Sequence, residues 1–315
     1  MTKAIRGNSF YTIVDGPTWT QAESNATSLN GHLVTINDQS ENDFLGTIYG
    51  TSNNFYQTYS PGWDLWDFNV FWIGLTDRAT EGKWEWASGE KVLYTNWIPG
   101  TPSNPDGASY NGTRDPNGYD YANIFWKLTQ SHPYPFGGWV GGIPNDPRDI
   151  PPYTPWSRVS YKGIAEISLN LSITRNIVPK EGVGNFTTSI NLSAGTQRGI
   201  TDGVTVYWRV SGITADDLGS GSLTGSGTIS GGKLDVTHSL VQDSDIGEQF
   251  AVSVFSDPAM TLQIGTTNSV GILEGIKNDG QASFRIDGST TTGQSLNINR
   301  ASDDPDGNGT PTYTW

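Results

Sequence analysis

Cysteine is absent from this chain of 315 residues, so no disulfide bond stabilises it. Basic residues are scarce, because 18 Lys and Arg stand against 32 Asp and Glu and give a formal charge of −14. Binding to nucleic acid or to an anionic membrane surface needs clustered positive charge, and the sequence contains no basic run. We therefore expect no nucleic-acid partner and no polybasic membrane anchor.

Long apolar runs are absent as well. No stretch reaches the ~18 apolar residues that a membrane-spanning helix needs, so we expect no transmembrane segment. The first residues, MTKAIRGNSFYTIVDG, lack the apolar core of a cleavable signal peptide. The 39 Gly and the excess of acidic residues are typical of extracellular bacterial β proteins that use calcium as a structural support. An acidic cytosolic protein is the alternative.

We expect an extracellular or cell-surface protein that is exported without a visible N-terminal signal peptide. The strand-like ending TPTYTW leads us to expect that the native chain continues beyond it.

The three histidines give no sign of a catalytic site. His32, His132 and His238 lie far apart in the sequence, and there is no Cys to pair with them. The motifs HExxH and GxSxG and the phosphate-binding loop do not occur. Because no nucleophile and base can be named, the sequence predicts a protein that is not an enzyme.

Tryptophan is distributed unevenly, and this distribution marks a domain boundary. Ten of the 12 Trp precede residue 160. We predict an α+β domain over residues 1–167, a β-sandwich over residues 168–275, and the first strands of a further β module over residues 276–315.

Two helices and several short strands are predicted in the first domain. Asp15 and Pro17 suit the start of a helix, and Asp38 with Glu41 forms a capping-box pattern for a second one. The first helix repeats apolar residues on one face, namely Trp19, Ala22, Ala26 and Leu29. Strands are predicted at SFYTIV, GHLVTI, VFWIGLTD, KWEWASG, VLYTNW and YKGIAEISL. Residues 98–156 lack periodicity but are rich in Tyr and Trp, which favours a functional loop over disorder.

Alternating apolar residues characterise the second domain. The segments ISLNLSI, FTTSINL, VTVYWRV and FAVSVF are separated by Gly-rich turns and predict half-buried antiparallel strands. Strands of this kind and spacing are typical of a β-sandwich. In the third unit, ASFRIDGS and QSLNIN are predicted strands.

Four motifs of the first domain follow one another in a fixed order: GHLVTI after the first helix, the strand WIGL, then GKWEWASGE, then NW followed by Pro and Gly. In this order they resemble a bacterial C-type lectin-like domain. The resemblance implies a fold of two helices and two small sheets, with a long loop region that binds ligands. In sugar-binding members, calcium in that loop coordinates two sugar hydroxyls directly.

Two carboxylate ligands of that calcium site are replaced here by neutral or cationic side chains. The corresponding residues are Thr101, Pro102, Ser103, Asn104, Asp120, Trp156, Ser157 and Arg158. Calcium takes six to eight oxygen ligands, several of them charged, and the guanidinium of Arg158 repels a cation. The resemblance therefore implies that the sugar-calcium site is absent in its usual form.

The insertion WKLTQSHPYPFGGWVGGIPNDPRDIPPYTPW leaves three interpretations open. Its aromatic side chains form a surface for a glycan or protein, or its polar ones form a remodelled cation site, or the rings pack together and hold the loop in place of disulfides. The residues concerned are Tyr134, Phe136, Trp139, Tyr153, Trp156, Asn145, Asp146 and Asp149. The candidate ligand-binding residues are Thr101, Ser103, Asn104, Asp120, Tyr134, Trp139, Tyr153 and Trp156.

In the second domain, Glu-Gly before the second strand, ITADD before a Gly-rich hairpin, and DSDIGEQFAVSV together resemble a Calx-beta domain. The resemblance implies a calcium site at one end of the sandwich, with Glu181, Asp216, Asp217, Asp243, Asp245 and Glu248 as candidate ligands. A divalent ion neutralises carboxylates that otherwise repel one another. The alternative is that they are solvated turn residues. The third unit resembles Ig-like or cadherin-like adhesin repeats.

Two functions are consistent with these features. The first is a surface-binding protein whose lectin-like tip recognises a surface glycan or protein through residues 98–156. The second is a structural subunit of a calcium-stabilised surface layer or extracellular filament, which implies self-association.

Overall fold

The computed structural model describes residues 2–50, 57–59, 66–99, 109–110, 113–114, 120–127, 137–143, 162–197, 199–243, 245–275, 282–289 and 291–303. Within these ranges, no helix combines the length and the apolar character that crossing a membrane requires.

Strands dominate the fold, and two short helices lie near the N-terminus. The helices are α1 (Trp19–Ser28) and α2 (Gln39–Leu45). In chain order the strands are β1 (Lys3–Arg6), β2 (Ser9–Asp15), β3 (His32–Leu33), β4 (Gln57–Tyr59), β5 (Trp66–Thr76), β6 (Glu85–Trp86), β7 (Ser109–Tyr110), β8 (Thr113–Arg114), β9 (Tyr121–Lys127), β10 (Gly138–Ile143), β11 (Lys162–Arg175), β12 (Asn185–Ala194), β13 (Thr205–Ser211), β14 (Thr224–Thr228), β15 (Lys233–Ser239), β16 (Gln249–Phe255), β17 (Gln263–Gly271), β18 (Ser283–Gly288) and β19 (Leu296–Ser302).

Helix α1 begins three residues later than the sequence pattern predicts. Its N-cap is Thr18, whose side chain accepts a hydrogen bond from Gln21 N (3.1 Å), rather than Asp15, which is the last residue of β2. A threonine directly before the first helical residue satisfies a free N–H of the first turn, and Asp15 lies too far upstream to do so. The predicted apolar face is confirmed, because Trp19, Ala22 and Ala26 are buried.

Helix α2 is capped as predicted by Asp38, whose Oδ1 accepts from Glu41 N (2.7 Å). The second half of the capping box differs from the pattern. Oε2 of Glu41 accepts from Asn37 N (3.0 Å), one residue before the cap, and its Oε1 accepts from the hydroxyl of Tyr11 (2.6 Å). The helix continues into a π-helical turn at Gly46–Gly50.

The N-terminal region, residues 2–168, is built on one sheet with the strand order β1-β2-β11-β5-β9-β10. Strand β11 runs antiparallel to β2 and parallel to β5. Trp72 of the WIGL motif is fully buried in β5, and its Nε1 donates to Gly16 O (3.2 Å). The predicted strand VLYTNW is wrong. Residues 92–96 form no strand, and Trp97 makes an isolated bridge to Trp139.

Strand β11 is continuous across the predicted boundary near residue 168. Its first half, Lys162 to Ser168, pairs with β2, and its second half, Leu169 to Arg175, pairs with β12. The segments YKGIAEISL and ISLNLSI, which the sequence suggests belong to two domains, are therefore one strand of 14 residues.

The C-terminal β-region, residues 169–275, contains two groups of antiparallel strands. The second half of β11 pairs with β12 and β12 pairs with β15, while the other sheet has the order β14-β13-β16-β17. The predicted alternation is confirmed, because the strands contribute their alternate residues to one shared apolar cluster. Its members from these strands include Leu169, Phe186, Ile190, Leu192, Val206, Val210, Phe250, Val252, Val254 and Ile264.

Beyond the β-region, β18 and β19 form a separate two-stranded antiparallel hairpin. The predicted strands ASFRIDGS and QSLNIN are thus present. The ending TPTYTW lies outside the described residues.

Candidate functional sites

The region predicted as one long loop, residues 98–156, includes strands β9 and β10 of the main sheet. Of the candidate ligand-binding residues, Asp120 and Trp139 are described, and the others lie outside the described ranges. Those others are Thr101, Ser103, Asn104, Tyr134, Tyr153 and Trp156. The cation alternative of Asn145, Asp146 and Asp149, and the positions Ser157 and Arg158, lie outside these ranges as well.

Trp139 packs in the interior instead of presenting a ring to a ligand. The side chain is 0% exposed, and its Nε1 donates to Asn42 Oδ1 (2.9 Å). The rings of Trp86, Tyr94 and Trp97 contact it edge to face at 5.5 to 5.7 Å between centroids. For this residue the binding-surface interpretation is corrected, and the structure places it among the rings that hold the loop.

Hydrogen bonds join the start of this region to β10. Ile98 N donates to Trp139 O (3.0 Å), and Trp139 N donates to Asn96 O (2.7 Å). The side chain of Asn96 also donates to Gly137 O (2.8 Å). In a chain without cysteine, ring packing and these hydrogen bonds therefore hold residues 96–98 against β10.

Asp120 lies directly before β9 and is buried. Its carbonyl oxygen accepts from Asp77 N (3.1 Å), and Asp77 Oδ2 accepts from Gly82 N (3.0 Å). The described contact of Asp120 is thus a backbone one that links β9 to the turn after β5. Its role as a ligand stays a prediction.

The sequence reasoning did not predict a pair of neighbouring carboxylates in the N-terminal region, the buried Glu41 and the half-buried Glu166. Glu166 on β11 accepts from Ser9 Oγ (2.7 Å) and from Thr35 N (3.1 Å). Burial raises the pKa of Glu166, and the nearby carboxylate of Glu41 adds to the rise. The available signal was a Glu within the otherwise apolar strand segment GIAEISL.

The predicted carboxylates of the β-region meet at one end of its sheets. One carboxylate oxygen each from Glu181, Asp243 and Glu248 lies within 4.8 Å of the other two. Glu181 lies before β12, whereas Asp243 and Glu248 both lie in the connection between β15 and β16. Backbone bonds hold the loops together, including Gly182 N to Leu240 O (3.1 Å) and Ile272 N to Glu248 O (3.2 Å).

The pKa values show how strongly these carboxylates interact. Burial raises the pKa of Glu248 to about 7, and the surrounding carboxylates, Asp217 first, add to the rise. Burial also raises the pKa of Glu181. For Asp217 burial acts in the same direction, but hydrogen bonds from Thr214 (N to Oδ2, 2.5 Å) and with Asp243 and Glu248 outweigh it and lower the pKa. The group is therefore a compact centre of negative charge.

Some carboxylate oxygens in and beside this group, called the acidic cluster below (Glu181, Asp217, Asp243 and Glu248), have no hydrogen-bond donor within the described ranges. Glu181 is 2% exposed, its Oε2 accepts from Gly275 N (3.1 Å), and its Oε1 has no hydrogen-bond partner within the described ranges. The same is true of Oε2 of Glu248 and of Glu274. A buried carboxylate oxygen without a donor is costly, and a hard divalent cation such as calcium satisfies several such oxygens at once.

The structure divides the predicted metal ligands into three groups. Glu181, Asp243 and Glu248 come together, and Asp217 joins them through its hydrogen bonds. Asp245 contributes its backbone N–H to Asp243 Oδ1 (2.7 Å), whereas Asp216 is exposed on the turn. Glu274 was not among the predicted metal ligands. It lies in the segment ILEG directly after β17, the last strand of the β-region, at the same end of the sheets.

Comparison with known proteins identifies the N-terminal fold. Residues 15–121 match the family model described as Lectin C-type domain. The chain therefore carries a C-type lectin domain of α+β fold, which agrees with the motif order in the sequence. The match ends at Tyr121, the first residue of β9. Members of this family are generally binding proteins and not enzymes.

Several curated relatives share this domain. C-type lectin domain family 4 member K of Homo sapiens is 33% identical over 106 residues, which cover 32% of this chain and 27% of that protein. Lithostathine-1-alpha of Homo sapiens is 36% identical over 103 residues, 32% of this chain and 55% of that protein. The low affinity immunoglobulin epsilon Fc receptor of Mus musculus is 35% identical over 86 residues, 27% of this chain and 21% of that protein. The chain thus spans only part of these mammalian relatives.

Solved structures align with the same part of the chain. The carbohydrate-recognition domain of cow CD23, solved with a GlcNAc2Man3 oligosaccharide, aligns at a TM-score of 0.34 and 20% identity, over 52% of this chain and 92% of that chain. A calcium-independent type II antifreeze protein aligns at a TM-score of 0.33 and 17% identity, over 53% of this chain and 92% of that chain.

Proposed function

We propose that this protein is an extracellular surface-binding protein of bacterial type, whose C-type lectin domain recognises a glycan or protein through residues 98–156. The observation that carries the proposal is the family match over residues 15–121. The contacts of Trp139 with Asn96 and Ile98 support it, because they attach the start of this region to β10 of the sheet. A rigid attachment reduces the entropy that a binding region loses when it binds its ligand.

Recognition in this proposal does not depend on calcium in the loop. Thr101, Ser103 and Arg158 stand where sugar-binding members have carboxylate or amide ligands, and they offer the ion too little negative charge. Aromatic side chains of the insertion, Tyr153 and Trp156, then supply the contact area for sugar C–H faces or a protein surface.

A glycan array tests this function, with the purified chain applied in calcium and again in chelator. The expected result is binding that survives the chelator and is lost in Tyr153→Ala and Trp156→Ala. Phe284→Ala, which removes an exposed ring from the hairpin, serves as the matched control and leaves binding unchanged. Unaltered binding in both loop variants would contradict the proposal.

A second candidate function rests on the acidic cluster. The resemblance to Calx-beta domains and the unpartnered, buried Oε1 of Glu181 support a calcium site formed with Asp243, Glu248 and Asp217. When bound, the cation neutralises the carboxylates and stiffens the loops that carry them. Glu274 lies on the segment that leads toward the hairpin and is positioned to join them.

In this second candidate the protein is a subunit of a calcium-stabilised surface layer or filament. Light scattering during calcium titration separates it from the first. Growth of particles with calcium supports a structural subunit, and a monomer at saturating calcium argues against one. The binding step is measured by calorimetry, with Glu181→Gln as the test variant and the exposed Asp216→Asn as its matched control.

A further inference from the structure

We infer that the lectin domain and the C-terminal β-region unfold as one cooperative unit. In this chain without cysteine, contacts with the β-region stabilise the lectin domain as disulfide bonds would. The partner surface is formed by β12 and by the loops around Gly195, Asp202, Ser256 and Gly265. This inference does not depend on the identity of the ligand or on the cation site.

The first support is the shared strand. β11 gives seven consecutive residues to the pairing with β2 and the next seven to the pairing with β12. The register is regular in both halves, from Ser168 opposite Ser9 to Leu169 opposite Ala194. A hinge needs a few residues that are free to change their φ and ψ angles, and a strand paired on both sides of the junction provides none.

The second support is a common apolar core. Ile5, Phe10 and Ile167 of the lectin domain belong to the same buried cluster as Phe186 and Phe250 of the β-region. Phe10 and Ile167 are fully buried. Separating the two regions exposes these side chains to water, which is unfavourable for each large aliphatic or aromatic side chain.

The third support is a row of polar contacts to the first two strands. Gly7 N donates to Ser256 Oγ (2.8 Å), and Gly265 N donates to Asn8 Oδ1 (2.7 Å). Lys3 Nζ donates to the carbonyl oxygen of Asp202 (3.2 Å). These bonds attach the β1–β2 hairpin, which opens the lectin domain, to loops of the β-region.

The fourth support is a backbone contact that admits no side chain. Gly195, at the end of β12, has φ +54°, and a Cβ there would lie 1.9 Å from the carbonyl oxygen of Leu29. Leu29 is the C-cap residue of α1. The turn after β12 therefore lies directly against the end of the helix, and only glycine fits.

Together these contacts hold the opening strands and the closing strand of the lectin domain from one side. Cross-links between distant parts of a domain stabilise it most when they close long loops. In a chain without cysteine, contacts with the β-region connect such distant parts of the lectin domain. The consequence for function is that β9 and β10, which lie within residues 98–156, keep a fixed position relative to the β-region.

The test uses hydrogen exchange of the full chain, followed by mass spectrometry at increasing denaturant. Val252→Ala removes a fully buried side chain from β16, remote in sequence from the lectin domain. Val178→Ala, the same substitution at an exposed site, is the matched control. The expected result is that Val252→Ala speeds exchange through global opening by roughly tenfold or more, equally in both regions, while Val178→Ala changes neither.

A second pair of variants addresses the contact itself. Gly195→Ala and Gly184→Ala introduce the same side chain at nearly the same φ, +54° and +56°, but only Gly195 has an atom in the way. We expect Gly195→Ala to lower protection in the lectin domain far more than Gly184→Ala does. Unchanged exchange of the lectin domain in Val252→Ala, or equal effects of the two glycine variants, would overturn the inference.

Discussion

Acidification is expected to destabilise the fold through His238, which lies among aromatic rings in the β-region. Its ring centroid is 5.0 to 5.5 Å from those of Phe186, Trp208 and Phe250. Burial lowers the pKa of His238 from its ordinary value of 6.5 to about 4, and the nearby guanidinium of Arg175 acts in the same direction. The folded state therefore holds this imidazole neutral.

The sign of the effect follows from proton linkage. Between pH 6.5 and 4 the unfolded chain binds a proton at His238 that the folded chain does not, so stability is present above pH 6.5 and falls as the pH is lowered. The difference between the two pKa values corresponds to at most about 3.4 kcal/mol, of which about 2 kcal/mol is lost by pH 5. For a domain with a typical stability of 5–15 kcal/mol, this is a measurable share.

Guanidinium unfolding at pH 7.5, 6.5, 5.5 and 5.0 measures the effect, with His238→Phe as the test variant. Phenylalanine keeps an aromatic ring in the cluster and removes the titrating group. Other groups, including Glu248 with its raised pKa, contribute to both curves and cancel in the difference. We expect the variant to lose about 2 kcal/mol less than the wild type between pH 7.5 and 5. Parallel curves would refute the argument, and Thr237→Ala, on the exposed side of β15, controls for local effects.

Three further outcomes are expected. Glu166→Gln raises the melting temperature at pH 8 more than at pH 5, because burial raises the pKa of Glu166 and stability is lost as the pH rises through that pKa. Glu181→Gln weakens calcium binding in calorimetry by on the order of tenfold or more, whereas Asp216→Asn does not. The reason is that Glu181 places a buried oxygen in the cluster and the exposed Asp216 does not. Trp139→Ala costs about 3–5 kcal/mol in denaturant unfolding, because it empties a fully buried site.

Local patterns in the sequence predicted the elements well wherever a single face of a strand or helix decides burial. The alternation of Phe186, Ile190 and Leu192 places them in the core, and Asp38 caps α2 as its spacing indicates. Burial of alternate residues is a property of a few neighbouring positions, so it can be read without knowledge of the partner strands.

What could not be predicted depends on contacts between residues distant in the sequence. The continuity of β11 is invisible locally, because its two halves show the same apolar pattern whether they belong to one strand or to two. Trp139 was predicted to form part of a ligand surface because its segment is rich in aromatic residues. Its burial depends on Trp86 and Asn42, which lie far away in the sequence. Glu274 was missed because a single acid after a strand is ordinary in a turn.

The two candidate sites are connected through β11. At one end of the strand, Lys162 and Gly163 pair with β5. Strand β5 pairs with β9, and β9 pairs with β10, so the sheet connects β11 to the strands within residues 98–156. At the other end, roughly 23 Å beyond the junction at residue 168 at about 3.3 Å per residue, the chain turns toward Glu181. Because a ligand that binds only the folded state stabilises every part that unfolds with it, calcium at a hundredfold excess over its dissociation constant adds about 2.7 kcal/mol to the whole unit. Exchange of the lectin domain should then slow by about a hundredfold, and by only about tenfold or less in Glu181→Gln, whose calcium binding is weakened tenfold or more. If calcium binds but slows exchange only in residues 169–275, the cation site stands and the single cooperative unit does not.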